Sequence, residues 1–141
     1  MRYVLDSNVG IKWLLIEDLS DKARAVRDEF LRGAHELLAP DVFIVEAAHA
    51  FTRAQRQGRV TDAEARLFLG DLLTTLPQLH PYPPLLPRAV AISLQQRHNV
   101  YDCLYVALAE REGCELLTAD DRLVRTLQPS FAFITSLTAL P

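Results

Sequence analysis

The chain has 141 residues, half of them apolar and 23% charged, with a net charge of −3. That is the size and composition of one soluble globular domain, residues 1–141, long enough to bury a core. The negative balance argues against nucleic-acid binding by bulk electrostatics, although a bound cation reverses the sign of an acidic pocket locally. No apolar run reaches the roughly 20 residues that cross a bilayer, and the stretch after Met1 is too short for a secretory signal. No membrane association and a cytoplasmic location are therefore expected. Cys103 and Cys114 have no zinc-type partners and are expected as reduced thiols, and the four histidines form no HxxxH pair.

Along the chain, strand and helix signals alternate. Arg2–Leu5 is a short strand, followed by Asp6-Ser7-Asn8, residue types suited to a turn or an N-cap. Val9–Leu15 reads as a short helix. Asp21–Arg32 reads as a second, amphipathic through Ala25, Val26 and Phe30, with Gly33 at its C-cap. A strand over Glu36–Ala39 ends at Pro40, and a helix from Asp41 to about Gln57 places Val42, Val45, Ala48 and Phe51 inward before Gly58 closes it. Thr61 and Glu64 form a capping-box pattern ahead of a helix to about Leu73. Residues 77–84 hold half of the eight prolines and must be irregular, with a short strand near Thr75–Leu79. Helices follow over Leu86–Arg97 and Tyr101–Glu112, the latter the most hydrophobic of all. A strand at Glu115–Thr118, a helix at Asp121–Leu127 and an edge strand at Phe131–Ile134 complete the chain. Strands separated by helices imply right-handed crossovers, a mostly parallel sheet and helices on both faces. Ligands in such sheets sit beyond the carboxyl ends of the strands.

Four acids stand out against this framework: Asp6 in YVLDSN, Glu46 in PDVFIVEAAHAF, Asp102 in VYDCLYVALAE and Asp120 in ELLTADDRL. A carboxylate in an apolar run is costly unless it is paired, hydrogen-bonded or bound to a cation. Each has an ordinary explanation. Asp6 suits a cap, Glu46 a pair with Arg53, Asp102 the reciprocal partner of an Asn99 N-cap, and Asp120 and Asp121 the start of the following helix. These explanations work one residue at a time and do not account for the set. Two acids at strand ends, one at a helix start and one within a helix are what a converging pocket for a hard cation such as Mg²⁺ or Mn²⁺ requires. Without the cation the same crowding raises the pKa of at least one carboxylate.

The segments VLDSNVGIKWLL (residues 4–15), APDVFIVEAAHAF (39–51), VYDCLYVALAEREG (100–113) and LLTADDRL (116–123) occur in an order that resembles the PIN domain. The compact size is similar to that of VapC-type toxins of prokaryotic toxin–antitoxin modules. The likeness runs almost end to end. It implies a three-layer α/β/α sandwich with a central, mostly parallel sheet, and a magnesium- or manganese-dependent endoribonuclease leaving a 5′-phosphate and a 3′-hydroxyl. Asp6, Glu46, Asp102 and Asp120 match the family's acidic positions, with Ser7 as the hydroxyl beside the first acid and Asp121 as an auxiliary or substitute for Asp120. The resemblance further implies an RNA substrate, a small cognate antitoxin that blocks the acidic pocket, with an arginine as its natural inhibitor, and a homodimer.

Basic residues available to hold RNA are Lys12, Arg53, Arg56, Arg59, Arg97 and Arg122, with Arg53 the best placed, two turns after Glu46; Tyr101, Tyr105 and Trp13 read first as core. A haloacid-dehalogenase-like phosphotransferase wants an acid where this chain has Asn8. A receiver domain wants a late lysine, and Lys12 and Lys22 are both early. The serious alternative is a non-catalytic PIN-like scaffold that binds RNA or a protein partner.

Overall fold

In the computed structural model, which describes residues 1–141, every strand runs parallel to its neighbours. The elements in chain order are β1 (Arg2–Leu5), α1 (Ser7–Ile11), α2 (Ser20–Leu31), β2 (Glu36–Pro40), α3 (Val42–Arg56), α4 (Asp62–Thr74) and β3 (Gln78–His80). A 3-10 turn at Pro83–Leu85 then leads into α5 (Leu86–Gln96), α6 (Val100–Glu112), β4 (Glu115–Thr118), α7 (Asp121–Leu127) and β5 (Ile134–Ser136), before a final 3-10 turn at Leu137–Ala139. The sheet order is β3-β2-β1-β4-β5. The chain therefore winds outward from β1 to β3, returns across the sheet and winds outward again through β4 and β5. Right-handed crossovers put α1 to α4 on one face and α5 to α7 on the other, a three-layer α/β/α sandwich. The switch point lies between β1 and β4.

The central strands are buried on both faces, with Val4, Leu5, Leu37, Leu38, Leu116 and Leu117 all inaccessible, as the continuous apolar runs of a covered parallel sheet demand. Helix α6 buries seven consecutive residues, Cys103 to Ala109, and lies against β1, β2 and β4. An all-round apolar helix has no solvent face to offer, and this one becomes the middle of the core. Thr61 and Glu64 form the capping box at the start of α4. Both cysteines are free, Cys103 buried and Cys114 partly so. No helix is long and apolar enough to cross a membrane.

Several boundaries differ from the sequence reading. The first helix occupies Ser7–Ile11 rather than Val9–Leu15, because the chain turns directly off the end of β1. The third strand begins after Pro77, whose missing N–H cannot join a ladder, and pairs Leu38 with Gln78 and Pro40 with His80. The last strand is Ile134–Ser136, not Phe131–Ile134: the Phe131 N–H is used to close α7 on the Leu127 carbonyl. In α2 the buried apolar positions are Ala23 and Val26, with Ala25 exposed. In α3 they are Phe43, Ala47, Phe51 and Ala54, while Val45 is 71% exposed.

Candidate active site

Strand β1 carries Asp6 to the carboxyl edge of the sheet, where its backbone N–H still bonds the Leu117 carbonyl of β4 at 3.0 Å. Asp6 occupies the N-cap position of α1, yet its side chain caps nothing. The carboxylate is instead turned inward, 3% exposed. Its Oδ2 accepts from the Thr118 hydroxyl at 2.9 Å and from Asn8 Nδ2 at 3.2 Å. Asn8 ties the two strand ends together, because its Oδ1 also accepts from the Ala119 N–H at 3.0 Å. Burial pushes the Asp6 carboxyl up to about 8, and the charges of Asp102 and Glu46 add to the rise while Thr118 and Asn8 oppose it. Two neutral hydrogen bonds do not offset the loss of water around a charge flanked by like charges. A bound cation would offset that cost.

Glu46 reaches this pocket from α3, which sits close because Gly10 of α1 has no side chain. A Cβ there would lie 2.6 Å from Cζ of the buried Phe43. Glu46 Oε1 accepts from the Tyr105 hydroxyl of α6 at 2.6 Å. Burial raises the Glu46 carboxyl, the Tyr105 hydroxyl opposes that, Asp102 adds to it, and Ser7 opposes it from the first turn of α1. Tyr105 itself is held well above its ordinary range, first by burial and then by the charges of Asp6 and Glu46, so it remains a donor. Asp102 enters from the first turn of α6. Its N–H donates to Asn99 Oδ1 at 2.9 Å, and its Oδ2 accepts from Asn99 Nδ2 at 2.9 Å and from His98 Nε2 at 2.6 Å.

Asp120 is placed differently. It is the N-cap of α7, with Oδ1 accepting from the N–H groups of Arg122 at 2.9 Å and Leu123 at 3.2 Å. Its link to the pocket runs through its backbone, whose N–H donates to Thr118 Oγ1 at 3.1 Å. Asp121 is exposed in the first turn of α7. The structure thus gathers Asp6, Glu46 and Asp102 into mutual electrostatic range, with Ser7 beside them, and leaves Asp120 at the margin. Each carboxylate is turned toward a protein donor, and no three acidic, imidazole or thiol groups form a ready-made metal cage.

Beside Glu46, an open cleft of about 490 Å³ is lined also by Ser7, Val45, His49 and Tyr101. It continues past His49 into a more polar groove containing Asn8, Arg53, Gln57 and Arg59. Arg53 makes no ion pair, whereas Lys12 is largely buried against Glu17 at 3.5 Å and Arg59 also pairs with Glu17. The Glu46–Arg53 pair considered from sequence is not formed. Tyr101, read as core, is 58% exposed on the cleft, while Tyr105 is buried as expected but carries Glu46 on its hydroxyl.

Asn8, Thr118 and His98 were not singled out from the sequence. His98 carried a signal, an imidazole four residues before an acid across a helix start. Thr118 carried none, since Asp6 lies on another strand, and Asn8, two residues after Asp6, reads only as a turn residue because its second partner, the Ala119 N–H, is 111 residues away.

An α/β/α sandwich with a buried aspartate and two partly buried acids converging at the switch point of its parallel sheet defines the class of molecule. The chain belongs to the PIN domain family, whose profile matches residues 3–127. It is 34% identical over 126 residues to Ribonuclease VapC3 of Pyrobaculum aerophilum, covering 87% of this chain and 92% of that protein. It is 38% identical over 111 residues to Ribonuclease VapC3 of Mycobacterium tuberculosis, covering 79% and 78%. Among solved structures, PAE2754 from Pyrobaculum aerophilum superposes with a TM-score of 0.71 at 22% identity, covering 98% of this chain and 93% of that one. VapBC2 from Rickettsia felis, bound to a DNA fragment from its promoter, matches at 0.69 and 12% identity, covering 96% and 98%.

Proposed function

We propose that this protein is an endoribonuclease of the VapC type, the toxin of a type II toxin–antitoxin pair, acting in the cytoplasm as a single nuclease domain, with Asp6, Glu46, Asp102 and Asp120 as its acidic site. The observation that carries the reading is the buried Asp6 facing Asp102 and Glu46 in a chain whose relatives are named ribonucleases. The donor set consists of hard carboxylate oxygens without sulfur, which suits Mg²⁺ or Mn²⁺. Bound there, such a cation supplies Lewis acidity toward the phosphate and lowers the pKa of attacking water.

Asp6 and Asp102 are the direct ligands in this reading. Glu46, fixed through Oε1 by Tyr105, keeps Oε2 to ligate or to orient the nucleophilic water. Asp120 contributes the oxygen that does not cap α7, and it does so in preference to the exposed Asp121. Arg53, free of an ion pair in the groove beyond His49, is the contact for the RNA backbone, with the more occluded Lys12 secondary to it. The cleft is open to a small antitoxin whose arginine would meet the carboxylates. The exposed apolar side chains Val45, Leu67 and Leu73 of α3 and α4 supply a homodimer surface.

The test is cleavage of a mixed RNA pool by the purified protein with Mn²⁺ and with EDTA. Metal-dependent fragments ending in 5′-phosphate support the reading. RNA binding without any cleavage would move the assignment to a non-catalytic scaffold.

A further inference from the structure

Asp102 is held through one oxygen, and the shorter of its two side-chain contacts comes from outside the acidic set. His98 Nε2 lies 2.6 Å from Asp102 Oδ2, with Asn99 Nδ2 on the same oxygen at 2.9 Å. Oδ1 accepts nothing from the protein. The His98 side chain is only 4% exposed, and this polar ring is buried where it can serve a single carboxylate. The turn between α5 and α6 is shaped to deliver it. Arg97 adopts a left-handed conformation, φ 54, uncommon for a residue other than glycine, and the next N–H, that of His98, bonds back to the Ser93 carbonyl at 3.3 Å. The Ser93 hydroxyl in turn donates to the His98 carbonyl. Backbone strain here fixes the ring's root rather than exposing a residue to solvent.

We propose that His98 is the positioning residue of the metal site: its Nε2–H occupies Oδ2 of Asp102, so that this carboxylate meets the cation through Oδ1 alone, in one rotamer. An acceptor-only carboxylate requires the ring proton on Nε2, which both the Nε2–H tautomer and the imidazolium provide. A carboxylate with two free oxygens would chelate in either of two modes and rotate between them. One that is gripped has already lost that freedom before the cation arrives. His98 touches neither substrate nor cation in this scheme and acts only through Asp102. The inference rests on the metal-site reading above, and the two are separable by experiment.

Calorimetric titration of Mn²⁺ into the metal-free protein makes the separation. Asp102→Asn should abolish binding. His98→Phe, which keeps the ring volume and removes the donor, should weaken Mn²⁺ binding about tenfold or more, while His98→Gln, which returns an N–H at similar reach, should stay within about threefold of wild type. If Asp102→Asn binds Mn²⁺ as wild type does, the metal site itself is wrong and the proposal falls with it. If Asp102→Asn loses binding but His98→Phe does not, or if Gln rescues no better than Phe, the positioning role is overturned and the metal site stands. Should His98→Phe fail to melt cooperatively, His98→Asn, polar but too short to reach Oδ2, must show the same loss. Mn²⁺ affinity equal to wild type in that variant overturns the proposal.

Discussion

Strands β1 and β4 end side by side, and an aspartate and a helix follow each, but the two ends are built on different physics. Asp6 stands at the N-cap position of α1 and declines to cap it, taking a buried place with two side-chain donors and two acidic neighbours. Asp120 caps α7 with two backbone N–H groups on one oxygen. In the second case the helix terminus itself satisfies the charge. In the first the protein satisfies it poorly, and a poorly satisfied buried charge that the fold retains is a charge held for something else. Position after a strand does not distinguish the two; burial and the identity of the donors do.

The largest effect expected from breaking this contrast is on catalysis. Asp6→Asn and Asp102→Asn preserve size and hydrogen-bonding capacity but remove the charges that would hold a divalent cation in the proposed site. Each should lower Mn²⁺-dependent RNA cleavage by roughly 100-fold or more, about 2.7 kcal/mol of barrier, with an unchanged circular dichroism spectrum. Near-wild-type cleavage by Asp6→Asn would leave its burial without a catalytic explanation.

The next effect is on stability, and its sign depends on the metal. The folded-state value for Asp6, about 8, lies above the ordinary carboxylate value of 3.8 that applies when the chain is unfolded. Its contribution to metal-free stability is therefore full below about pH 4 and is lost progressively as the pH rises through about 8. In EDTA, Asp6→Asn should melt close to wild type below about pH 4 and clearly above it at pH 9. Added Mn²⁺ should narrow or reverse the difference, since binding to the native state alone would stabilise wild type by roughly 2.7 kcal/mol at about 100 times the dissociation constant. Melting curves in both media test this, and parallel curves across pH would show that Asp6 does not ionise against a penalty.

Why Asp6 was legible and its surroundings were not follows from the range of the interactions. An acid after YVL is visible because apolar neighbours make it anomalous. The Thr118 hydroxyl that holds it is 112 residues away, and no local pattern announces that pairing. The central elements are legible for the same reason: β1 and β4 fall on their observed residues, and α6 is off by one, because a buried element carries its signal in composition. Helix α7, only partly buried, is legible from its Asp120-Asp121 start. The three-residue edge strands β3 and β5 are too short to show a period, and their limits are set by pairing to β2 and β4. In α3 the apolar residues are so dense from Val42 to Ala48 that several faces look equally buriable. Contact with α1 and β2 chose the one carrying Phe43 and Ala47, which turned Val45 to the cleft and Glu46 toward Asp6.

That contact supplies a third test. Gly10→Ala forces a methyl group to within 2.6 Å of the Phe43 ring, which is fully buried and has little room to retreat. Overpacking of this kind should cost about 1–3 kcal/mol in urea unfolding. Because the strain falls between α1 and α3, it should also move Glu46 relative to Asp6 and weaken Mn²⁺ binding. Unchanged stability would mean that α3 shifts freely and does not fix Glu46.

The smallest effect is expected at Asp120, where the two roles can be divided. Asn is as good an N-cap as Asp, so Asp120→Asn should leave stability within about 0.5 kcal/mol, whereas Asp120→Ala, which removes the acceptor for Arg122 and Leu123, should cost about 0.5–2 kcal/mol. If the oxygen that does not cap serves the cation, Asp120→Asn should still lower cleavage, by about tenfold rather than the hundredfold expected at Asp6, since its charge is marginal to the pocket. The diagnostic comparison is therefore Asn against Ala at one position. A residue that only caps loses stability with Ala and keeps full activity with Asn. A residue that also ligates keeps stability with Asn and loses activity with it. Full cleavage by Asp120→Asn, measured beside Asp121→Asn, would reduce the acidic site to Asp6, Glu46 and Asp102.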